Sequence, residues 1–393
     1  MKRKLPAAAV VLLDVLLFAV MLLTFAYFHH VRMFISGDNE SERQVERTFE
    51  RTTTVRTPEP DTGGEHTHTD DGSGYCAECG ECLLDTSGMF AEAFPHVFIQ
   101  DTETVSLTDD DGIREYALAN SLELVSEPDS EYIALYRSHD VYVTLHEINT
   151  DMYFEGTGRT YYVQYYVYDI YVRNIENIFT VDVDSRVDME ELIAQGEEYS
   201  GGSVIAASNG DYIGNKRHCL IAERNGNLYR YSDYVESDVC VLYYDGSMET
   251  YTPDTFDFDA ITENNPYQIW NFGPELIDGD GNVKESYDKS SYDNDIINSR
   301  HPRTALGYHS PGHYSIVVVD GRSSDSQGVR IVQLAQIMKD LGCVKAYNMD
   351  GGDSSQSYML GEYIRIDESR SEQRRLYDII CIGETEQNHE KID

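Results

Sequence analysis

The clearest pattern of apolar and polar positions lies between residues 301 and 357. Two β-branched apolar runs, Ser315 to Val319 and Cys343 to Tyr347, are each followed closely by an aspartate and a glycine. Between the runs, apolar residues recur every three or four positions, at Ile331, Leu334, Ala335, Met338 and Leu341. This spacing predicts one face of a helix, for which Gly342 is a suitable stop. The segment therefore predicts a strand, a crossover helix and a second strand.

Two carboxylates follow these predicted strands. Asp320 begins an Asp-Gly-Arg turn after the first strand, and Asp350 precedes Gly351 and Gly352 after the second. If the strands are parallel and adjacent, both aspartates leave the sheet at its carboxyl edge, where open α/β sheets bind ligands. A single Asp-Gly pair usually marks only a tight turn. Two in the same register lead us to expect two carboxylates facing one cleft.

Further strands are predicted upstream by alternating or continuous apolar runs at 141–148, 161–172 and 204–207. The run at 161–172, YYVQYYVYDIYV, is apolar on both faces, as in a strand between two layers. Glycines at positions 226, 246 and 279 punctuate hairpin-like runs. The predicted fold class is α/β in the mixed α+β sense. We expect a strand-rich mixed sheet with at least one crossover helix, preceded by a single transmembrane helix.

The amino terminus predicts a membrane anchor. Residues 1–6 form a basic cytoplasmic start, and residues 7–28 form an apolar run interrupted only by Asp14 and Thr24. A helix of that length can span the roughly 30 Å hydrocarbon layer, and the preceding basic residues keep the start in the cytoplasm. A cleaved signal peptide is the alternative, but no convincing cleavage site follows the run. We expect a single-pass cell-membrane protein whose carboxyl-terminal domain is extracellular.

We expect residues 29–92 to form a flexible polar stalk and residues 93–393 to form the extracytoplasmic domain. The stalk has almost no apolar periodicity, so it cannot bury enough surface to offset its ordering entropy. It contains Cys76, Cys79 and Cys82, shortly after two histidines. A local disulfide, free thiols and a zinc site all fit these cysteines. The remaining cysteines lie in strand-like surroundings, so we expect them to be small core residues. They are Cys219, Cys240, Cys343 and Cys381.

The formal net charge of −40 results from 30 basic and 70 acidic residues. This balance argues against nucleic acid as a partner and against the anionic membrane face. Acidity on this scale can recruit divalent cations. The segment 278–282 resembles a calcium loop but lacks its glycine and closing glutamate, and therefore predicts a hairpin turn. The sequence demands no cofactor, leaves calcium or magnesium open, and assigns no metal ligands.

Several motifs, in this order and spacing, resemble those of the phosphodiester glycosidase family. They are Asn209-Gly210-Asp211-Tyr212, Phe272-Gly273-Pro274, Arg303-Thr304-Ala305-Leu306-Gly307, Asp320-Gly321-Arg322 and Asn348-Met349-Asp350-Gly351-Gly352-Asp353-Ser354-Ser355. The resemblance extends from about residue 125 to 385 and includes the 161–172 run and the strand after Arg375. One departure concerns Asp353, which stands where the family usually has a third glycine. A side chain there could narrow the pocket or add negative charge beside an anionic substrate.

The resemblance implies a hydrolase that cleaves a sugar 1-phosphodiester, between the anomeric carbon and a phosphate oxygen, and the predicted anchor places it at the membrane. The expected partner is a phosphodiester-linked glycan in a cell-surface or secreted glycopolymer. Asp320 and Asp350 are the catalytic candidates, one as acid or base and the other stabilising an oxocarbenium-like sugar or activating water. The expected substrate-binding residues are Arg303, Thr304, Arg322, Asn209, Asp211, Asn348, Gly351, Gly352 and Ser354. Among them, the two arginines would bind phosphate, the two asparagines and Asp211 would orient sugar hydroxyls, and the glycine amides would cradle phosphate oxygens.

Three questions stay open in the sequence. Adjacent strand ends are about 4.8 Å apart, so the carboxylates could have the roughly 5 Å gap of retaining enzymes or, angled outward, the wider gap of inverting ones. A serine hydrolase is a weak alternative, because Ser354 and Ser355 lack the glycines of a nucleophile elbow. The other alternative is a non-catalytic, membrane-anchored surface protein that binds polysaccharide or calcium, which Asp353 favours.

Overall fold

The computed structural model describes residues 88–94, 97–98, 131–154, 158–214, 219–287, 291–364 and 373–385. Its helices are α1 (Met189–Ser200), α2 (Phe258–Thr262), α3 (Asn294–Asn298) and α4 (Ile331–Asp340). In chain order its strands are β1 (Glu131–Arg137), β2 (Val141–Phe154), β3 (Arg159–Val172), β4 (Ile178–Val187), β5 (Val204–Asn209), β6 (Ala222–Arg224), β7 (Asn227–Arg230), β8 (Val239–Tyr243), β9 (Met248–Tyr251), β10 (Pro266–Asn271), β11 (Glu275–Ile277), β12 (Arg303–Ser310), β13 (His313–Val319), β14 (Lys345–Asn348), β15 (Ser357–Met359), β16 (Glu362–Ile364) and β17 (Leu376–Gly383).

This strand-rich content with few helices agrees with the predicted mixed fold. The expected membrane anchor and the cysteines at 76, 79 and 82 lie outside the described residues. Among the residues that are described, no helix is both long and apolar enough to cross a membrane.

The strands form three sheets. The large sheet has the order β1-β2-β3-β13-β12-β14-β11, the second sheet β7-β6-β10-β8-β9, and the third sheet β16-β15-β5-β17-β4. Every neighbouring pair among these described strands is antiparallel, so the prediction of a mixed sheet is wrong in this respect. The hairpins predicted at the glycines are present, since β6 pairs with β7 and β8 with β9, and Ile277 bridges Val283 around the 278–282 turn.

One face of each sheet contributes to a shared apolar core. Val143 and Ile316 from the large sheet, Trp270 from the second, and Ile205 and Ile380 from the third all belong to this buried cluster. Burial of each such side chain contributes about 1.5–3 kcal/mol relative to its exposed state. The three sheets are therefore held together mainly by apolar contacts between their inner faces.

Each outer face has its own helix. Leu334 of α4 packs with Val317 of the large sheet, and Leu192 of α1 packs with Phe179 of the third. Ile261 of α2 lies in the cluster on the outer face of the second sheet. These helices are apolar on one side because they cover a sheet only on that side.

The strand, crossover helix and strand predicted around α4 are confirmed. Ile331, Leu334, Ala335 and Met338 are all buried, as their spacing requires. After α4, Gly342 adopts a left-handed φ of 85°, and its amide donates to the carbonyl of Lys339 at 3.0 Å. A glycine adopts that conformation at little steric cost, so the helix ends where the sequence predicts.

The expectation that the two strands connected by α4 are adjacent is wrong. β13 and β14 are both antiparallel to β12, so they run in the same direction, but β12 lies between them. Asp320 and Asp350 still follow the same edge of the large sheet. They are separated by two strand spacings, roughly 9.6 Å, rather than one.

The four cysteines predicted as core residues are buried and free. The 161–172 run is β3, in which Val167 faces the α4 side and Tyr168 faces the shared core. This confirms the prediction of a strand between two layers.

A buried ion pair joins the second and third sheets. Arg224, at the end of β6, bonds Asp211, which follows β5, at 2.6 Å, and both side chains are fully buried. Arg224 also donates to the carbonyl oxygens of Ile269 and Glu223, and the second oxygen of Asp211 accepts from the amide of Asn271 at 2.7 Å. These bonds pair two charges that would otherwise be costly to bury, although the Arg224 Nε has no hydrogen-bond partner among the described residues.

We expect Arg224→Met to lower the free energy of unfolding by about 3–5 kcal/mol, because it leaves the buried Asp211 carboxylate without its cation. Urea denaturation followed by circular dichroism measures this loss. Adding Asp211→Asn should recover part of the lost stability, because it removes the carboxylate that Arg224→Met leaves unpaired. The matched control is Arg375→Met, whose pair with Asp188 is 65% and 61% exposed and should change stability by less than about 1 kcal/mol. Equal losses in both arginine variants would contradict the assignment.

Candidate active site

Asp350 lies beside a small pocket of about 10 Å³, roughly the space for one water molecule, here called the Asp350 pocket. The loop after β14 carries the aspartate, and the end of β5 and the start of β17 form the walls. The pocket is lined by Arg186, Asn209, Gly210, Tyr212, Asp350, Ser354, Arg375, Leu376, Tyr377 and Asp378. Of the predicted substrate-binding residues, it includes Asn209 and Ser354.

The surroundings of Asp350 favour its neutral form. Its Oδ1 accepts from the amide of Gly351 at 2.8 Å, and its side chain also bonds Ser354. Burial raises the pKa of the Asp350 carboxyl, although these hydrogen bonds and the nearby Arg374 and Arg186 oppose the rise. A carboxyl with a raised pKa is suited to hold and donate a proton.

Arg186 on β4 supplies a cation beside this pocket. Its guanidinium donates to the hydroxyl of Tyr212 and lies 5.0 Å from the ring centre of Tyr212 and 5.1 Å from that of Tyr377. Such stacking on two aromatic rings keeps a guanidinium charged and in place. The pocket therefore combines a carboxyl group with a positioned arginine.

Asp378 on β17 shapes the turn that carries Tyr212. Its carboxylate accepts from the amides of Asp211 at 2.7 Å, Tyr212 at 3.0 Å and Ile213 at 3.3 Å. Tyr212 has a left-handed φ of 64°. A Cβ on Gly210 would lie 1.9 Å from Asp378 Oδ2, so only glycine fits there. Burial and the neighbouring Asp211 raise the pKa of Asp378.

Several predicted sugar-binding groups are bonded within the protein instead. Asn209 Oδ1 accepts from the Thr304 hydroxyl at 2.7 Å, and its Nδ2 donates to the carbonyl of Asp350 at 2.7 Å. Both side chains therefore fix the end of β5 against β12 and the Asp350 loop. Asp211 is occupied by Arg224 and is not among the residues that line the pocket.

Asn348 and the two glycine amides are also engaged. Asn348 Nδ2 donates to the carbonyl of Gly273 at 2.7 Å, which fixes β14 to the turn before β11. The Gly352 amide donates to the carbonyl of Pro302 at 2.9 Å, and the Gly351 amide bonds the carboxylate beside it. The expected phosphate cradle is thus occupied by bonds within the loop.

Arg303 is buried and holds backbone segments. Its guanidinium donates to the carbonyl oxygens of Val329 at 3.2 Å, Ile296 at 2.6 Å and Ser299 at 3.0 Å. Burial, together with the neighbouring Arg322, lowers the Arg303 pKa to about 10. This arginine brings α3 and the segment before α4 together.

A second, basic pocket lies where these segments meet. It has a volume of about 530 Å³ and is lined by Asn298, Ser299, Arg300, Arg322, Ser323, Gln327 and Arg330. Three of the lining residues are arginines and none is acidic. The buried Nε atom of Arg330 has no hydrogen-bond partner within the described chain. Within a protein of net charge −40, this pocket is a local exception that suits an anion.

Arg322 joins the basic pocket to the Asp350 loop. Its guanidinium donates to Asp353 at 2.7 Å and bonds His301 Nδ1 at 2.9 Å. Arg374 lies 3.7 Å from the other oxygen of Asp353. The negative charge expected from Asp353 is therefore matched by two arginines. Arg322 has a left-handed φ of 65°, a conformation that costs a non-glycine residue on the order of 1 kcal/mol or more.

Asp320 follows the same sheet edge but does not line the Asp350 pocket. It is largely buried, and its Oδ1 accepts from the amide of Gly321 at 2.6 Å. A Cβ on Gly321 would lie 2.9 Å from the nitrogen of Pro302, and one on Gly351 would lie 3.1 Å from its oxygen. The two glycines thus let both loops close on the start of β12.

Sequence reasoning did not select Arg186, Arg374, Asp378, or the arginines at 300 and 330. No local spacing marks these residues, because their partners are distant in the chain. One compositional signal was available: in a chain with only 30 basic residues, arginines concentrate between 300 and 330 and again at 374 and 375.

The predicted divalent cation has no evident ligand set at this edge. Within the described part of the chain, the group of His, Cys, Asp and Glu side chains close enough to share an ion is Asp169, His309 and His313. These residues lie elsewhere on the large sheet.

Comparison with known proteins gives a family and a fold. Residues 202–383 match the family model described as phosphodiester glycosidase. The SPbeta prophage-derived uncharacterized protein YomE of Bacillus subtilis strain 168 is 31% identical over 160 residues, covering 40% of this chain and 23% of that protein. The chain thus spans less than a quarter of the length of that curated relative.

A similar fold is found among solved structures at low sequence identity. The catalytic domain of zebrafish N-acetylglucosamine-1-phosphodiester alpha-N-acetylglucosaminidase, auto-inhibited by its pro-peptide, aligns with a TM-score of 0.51 and 18% identity, covering 62% of this chain and 83% of that one. A hypothetical protein from Synechocystis aligns with a TM-score of 0.45 and 11% identity, covering 66% of this chain and 64% of that one.

The family match contains the motifs from Asn209 to Ser355 but begins after the 161–172 strand, which the sequence resemblance also included. At 18% identity, the zebrafish structure supports the fold and leaves the substrate open. The resemblance predicted from the motifs is confirmed, since residues 202–383 of this chain match the model of the phosphodiester glycosidase family.

Proposed function

We propose that this protein hydrolyses sugar 1-phosphodiesters in a cell-surface or secreted glycopolymer. The family match supports a glycosidase that acts on phosphodiesters. The observation that carries the proposal is the position of Asp350, a carboxyl with a raised pKa whose loop is joined through Asp353 to Arg322 and the basic pocket. A carboxyl that can donate a proton and a pocket that can bind an anion are therefore connected through one loop.

In this proposal, Arg322 binds the phosphate. Its guanidinium is 40% exposed and lines the basic pocket, so a ligand can reach it. Arg300 and Arg330 line the same pocket and would bind the anionic continuation of the polymer. Arg303 acts indirectly, because its guanidinium holds the walls of that pocket through backbone carbonyls.

Asp350 is proposed as the proton donor to the departing phosphate oxygen. The bond between this oxygen and the anomeric carbon breaks, and a water oxygen forms the new bond to that carbon. Phosphate is already a good leaving group, so protonation contributes less than it would for an alcohol. Arg186 beside the pocket would further stabilise the negative charge that develops on phosphate.

Asp320 is proposed as the base that accepts the proton of this water. It lies two strand spacings from Asp350, roughly 9.6 Å between strand axes. This strand spacing leaves room for the roughly 6.5–9.5 Å between carboxyl groups in inverting glycosidases, whereas retaining enzymes hold theirs roughly 5 Å apart, so we infer an inverting pair. A water molecule can fit between groups at the larger distance.

Membrane attachment through residues 7–28, with the catalytic domain outside the cell, remains part of the proposal. Protease accessibility of the carboxyl-terminal domain on intact cells tests it. A domain that becomes accessible only after lysis would contradict this location.

Asp350→Asn should lower kcat for hydrolysis by about 10²–10⁴-fold, because the amide cannot donate the proton. The full-length protein would be assayed for release of free sugar from a panel of sugar 1-phosphodiesters, with calcium, magnesium or a chelator present. Asp325→Asn is the matched control, since Asp325 is exposed on the loop after β13. Unchanged turnover in Asp350→Asn would exclude Asp350. No turnover across the panel, with retention of acidic glycans, would instead favour the binding-protein alternative.

The first sugar released should have the opposite anomeric configuration to the substrate. Proton NMR during the first turnovers distinguishes the anomers before they equilibrate in water. Retention of configuration would contradict the assignment of Asp320 and Asp350 as a separated acid and base pair.

Asp353→Gly should lower KM for the phosphodiester several-fold, because it releases Arg322 and Arg374 from an internal carboxylate. Steady-state kinetics at low and high salt measure this effect, which should shrink as salt screens the charges. The control is Asp340→Gly, at the end of α4 and away from both pockets. A higher KM in Asp353→Gly would show that Asp353 positions Arg322 for binding rather than competing with the substrate.

A further inference from the structure

Three side chains of types that can bind metals lie close together at the end of the large sheet opposite to Asp350. They are Asp169 on β3, His309 on β12 and His313 on β13, here called the histidine cluster. One donor atom from each lies within 4.8 Å of the others. Asp169 is largely buried, and both histidines are half-buried.

The histidine cluster is distant from the candidate active site. His313 is the first residue of β13, and Asp320 follows the last residue of that strand. Six or seven residues of extended chain span about 20 Å. None of the three residues lines the Asp350 pocket or the basic pocket. The proposed hydrolysis therefore gives these side chains no role.

Ring stacking holds the two imidazoles in fixed orientations. The His313 ring stacks on Tyr171 with centroids 4.0 Å apart and on His309 with centroids 4.1 Å apart, at interplanar angles of 12° and 13°. His313 Nε2 bonds Asp169 Oδ1 at 2.7 Å. His309 Nε2 lies 2.8 Å from Ser315 Oγ. The donor atoms are thus close to one another before any ligand binds.

We propose that the histidine cluster binds a zinc ion. Two imidazole nitrogens and one carboxylate oxygen are a common zinc donor set, whereas calcium and magnesium prefer oxygen ligands alone. Bonds of about 2.1 Å in a tetrahedral site place donors about 3.4 Å apart. Because zinc binds an imidazole nitrogen in the plane of its ring, at least one of the two stacked rings would rotate out of the stack to direct its nitrogen at the ion. Zinc would replace the proton that His313 Nε2 shares with Asp169.

The fourth position has a candidate ligand in Cys343. Its Sγ lies 3.5 Å from His309 Nε2, and the thiol is free. The three primary ligands come from β3, β12 and β13, which are consecutive in the order β3-β13-β12. A bound zinc ion would therefore connect three strands and stabilise this end of the large sheet.

The test is zinc binding by the full-length protein in which Cys76, Cys79 and Cys82 are replaced by serine, because those thiols could bind zinc separately. Bound zinc per chain is measured by mass spectrometry after dialysis against buffered zinc. We expect about one zinc per chain in this background. Affinity should fall about tenfold or more in His313→Gln and in Asp169→Asn.

His139→Gln is the matched control. His139 also pairs with an aspartate, Asp140, at 2.9 Å, but it belongs to no group of three potential ligands in the described residues. It should keep the zinc content of the background protein. Circular dichroism of each variant without zinc establishes that the variants fold.

Cobalt substitution gives a second readout. Tetrahedral cobalt absorbs strongly in the visible range, and this absorption should appear in the background protein and be lost in His313→Gln. Absence of bound zinc in the background protein, or equal zinc in background and His313→Gln, would overturn the proposal. Sugar release should persist in His313→Gln, so this result and the outcome of the hydrolysis assay are independent.

Discussion

The buried cation of Arg224 is the polar constraint that fixes the second sheet against the third within their shared apolar core. Because it lies in the interior, it needs a carboxylate there, and Asp211 at the end of β5 supplies it. On the other side of the same turn, Asn209 bonds Thr304 of the large sheet. The main chain of Gly210 then accepts from the amide of Asp350 at 3.1 Å. The segment 209–211 thus connects the buried Arg224 to the loop that carries Asp350.

Local and global electrostatics oppose each other in this protein. The chain carries a net charge of −40, yet Arg300, Arg322 and Arg330 line one pocket without an acidic neighbour in its wall. Screening limits the repulsion from the rest of the surface to roughly 10 Å at 0.1 M salt. An anionic ligand would therefore experience mainly the arginines once it is near. Asp353 reduces this local charge, since it occupies Arg322.

The sequence predicted those features that depend on neighbouring residues. The periodicity of α4 and its end at Gly342 are local, and both are confirmed. The position of β12 between β13 and β14 is set by pairing with distant segments, which no local pattern encodes. The same limit applies to the arginines. Residue type alone does not distinguish Arg303, which is buried against backbone carbonyls, from Arg322, which is exposed to ligands.

The strand order of the third sheet has a consequence for synthesis of the chain. β17, the last strand, lies between β5 and β4, which precede it by more than 160 residues. Until residue 383 has left the ribosome, β5 and β4 each lack their shared partner, and Asp378 is absent from the turn at Tyr212. The pocket wall can therefore form only after synthesis of β17. Premature termination between β5 and β17 would leave two unpaired strand edges, which favour aggregation, instead of a partly active protein.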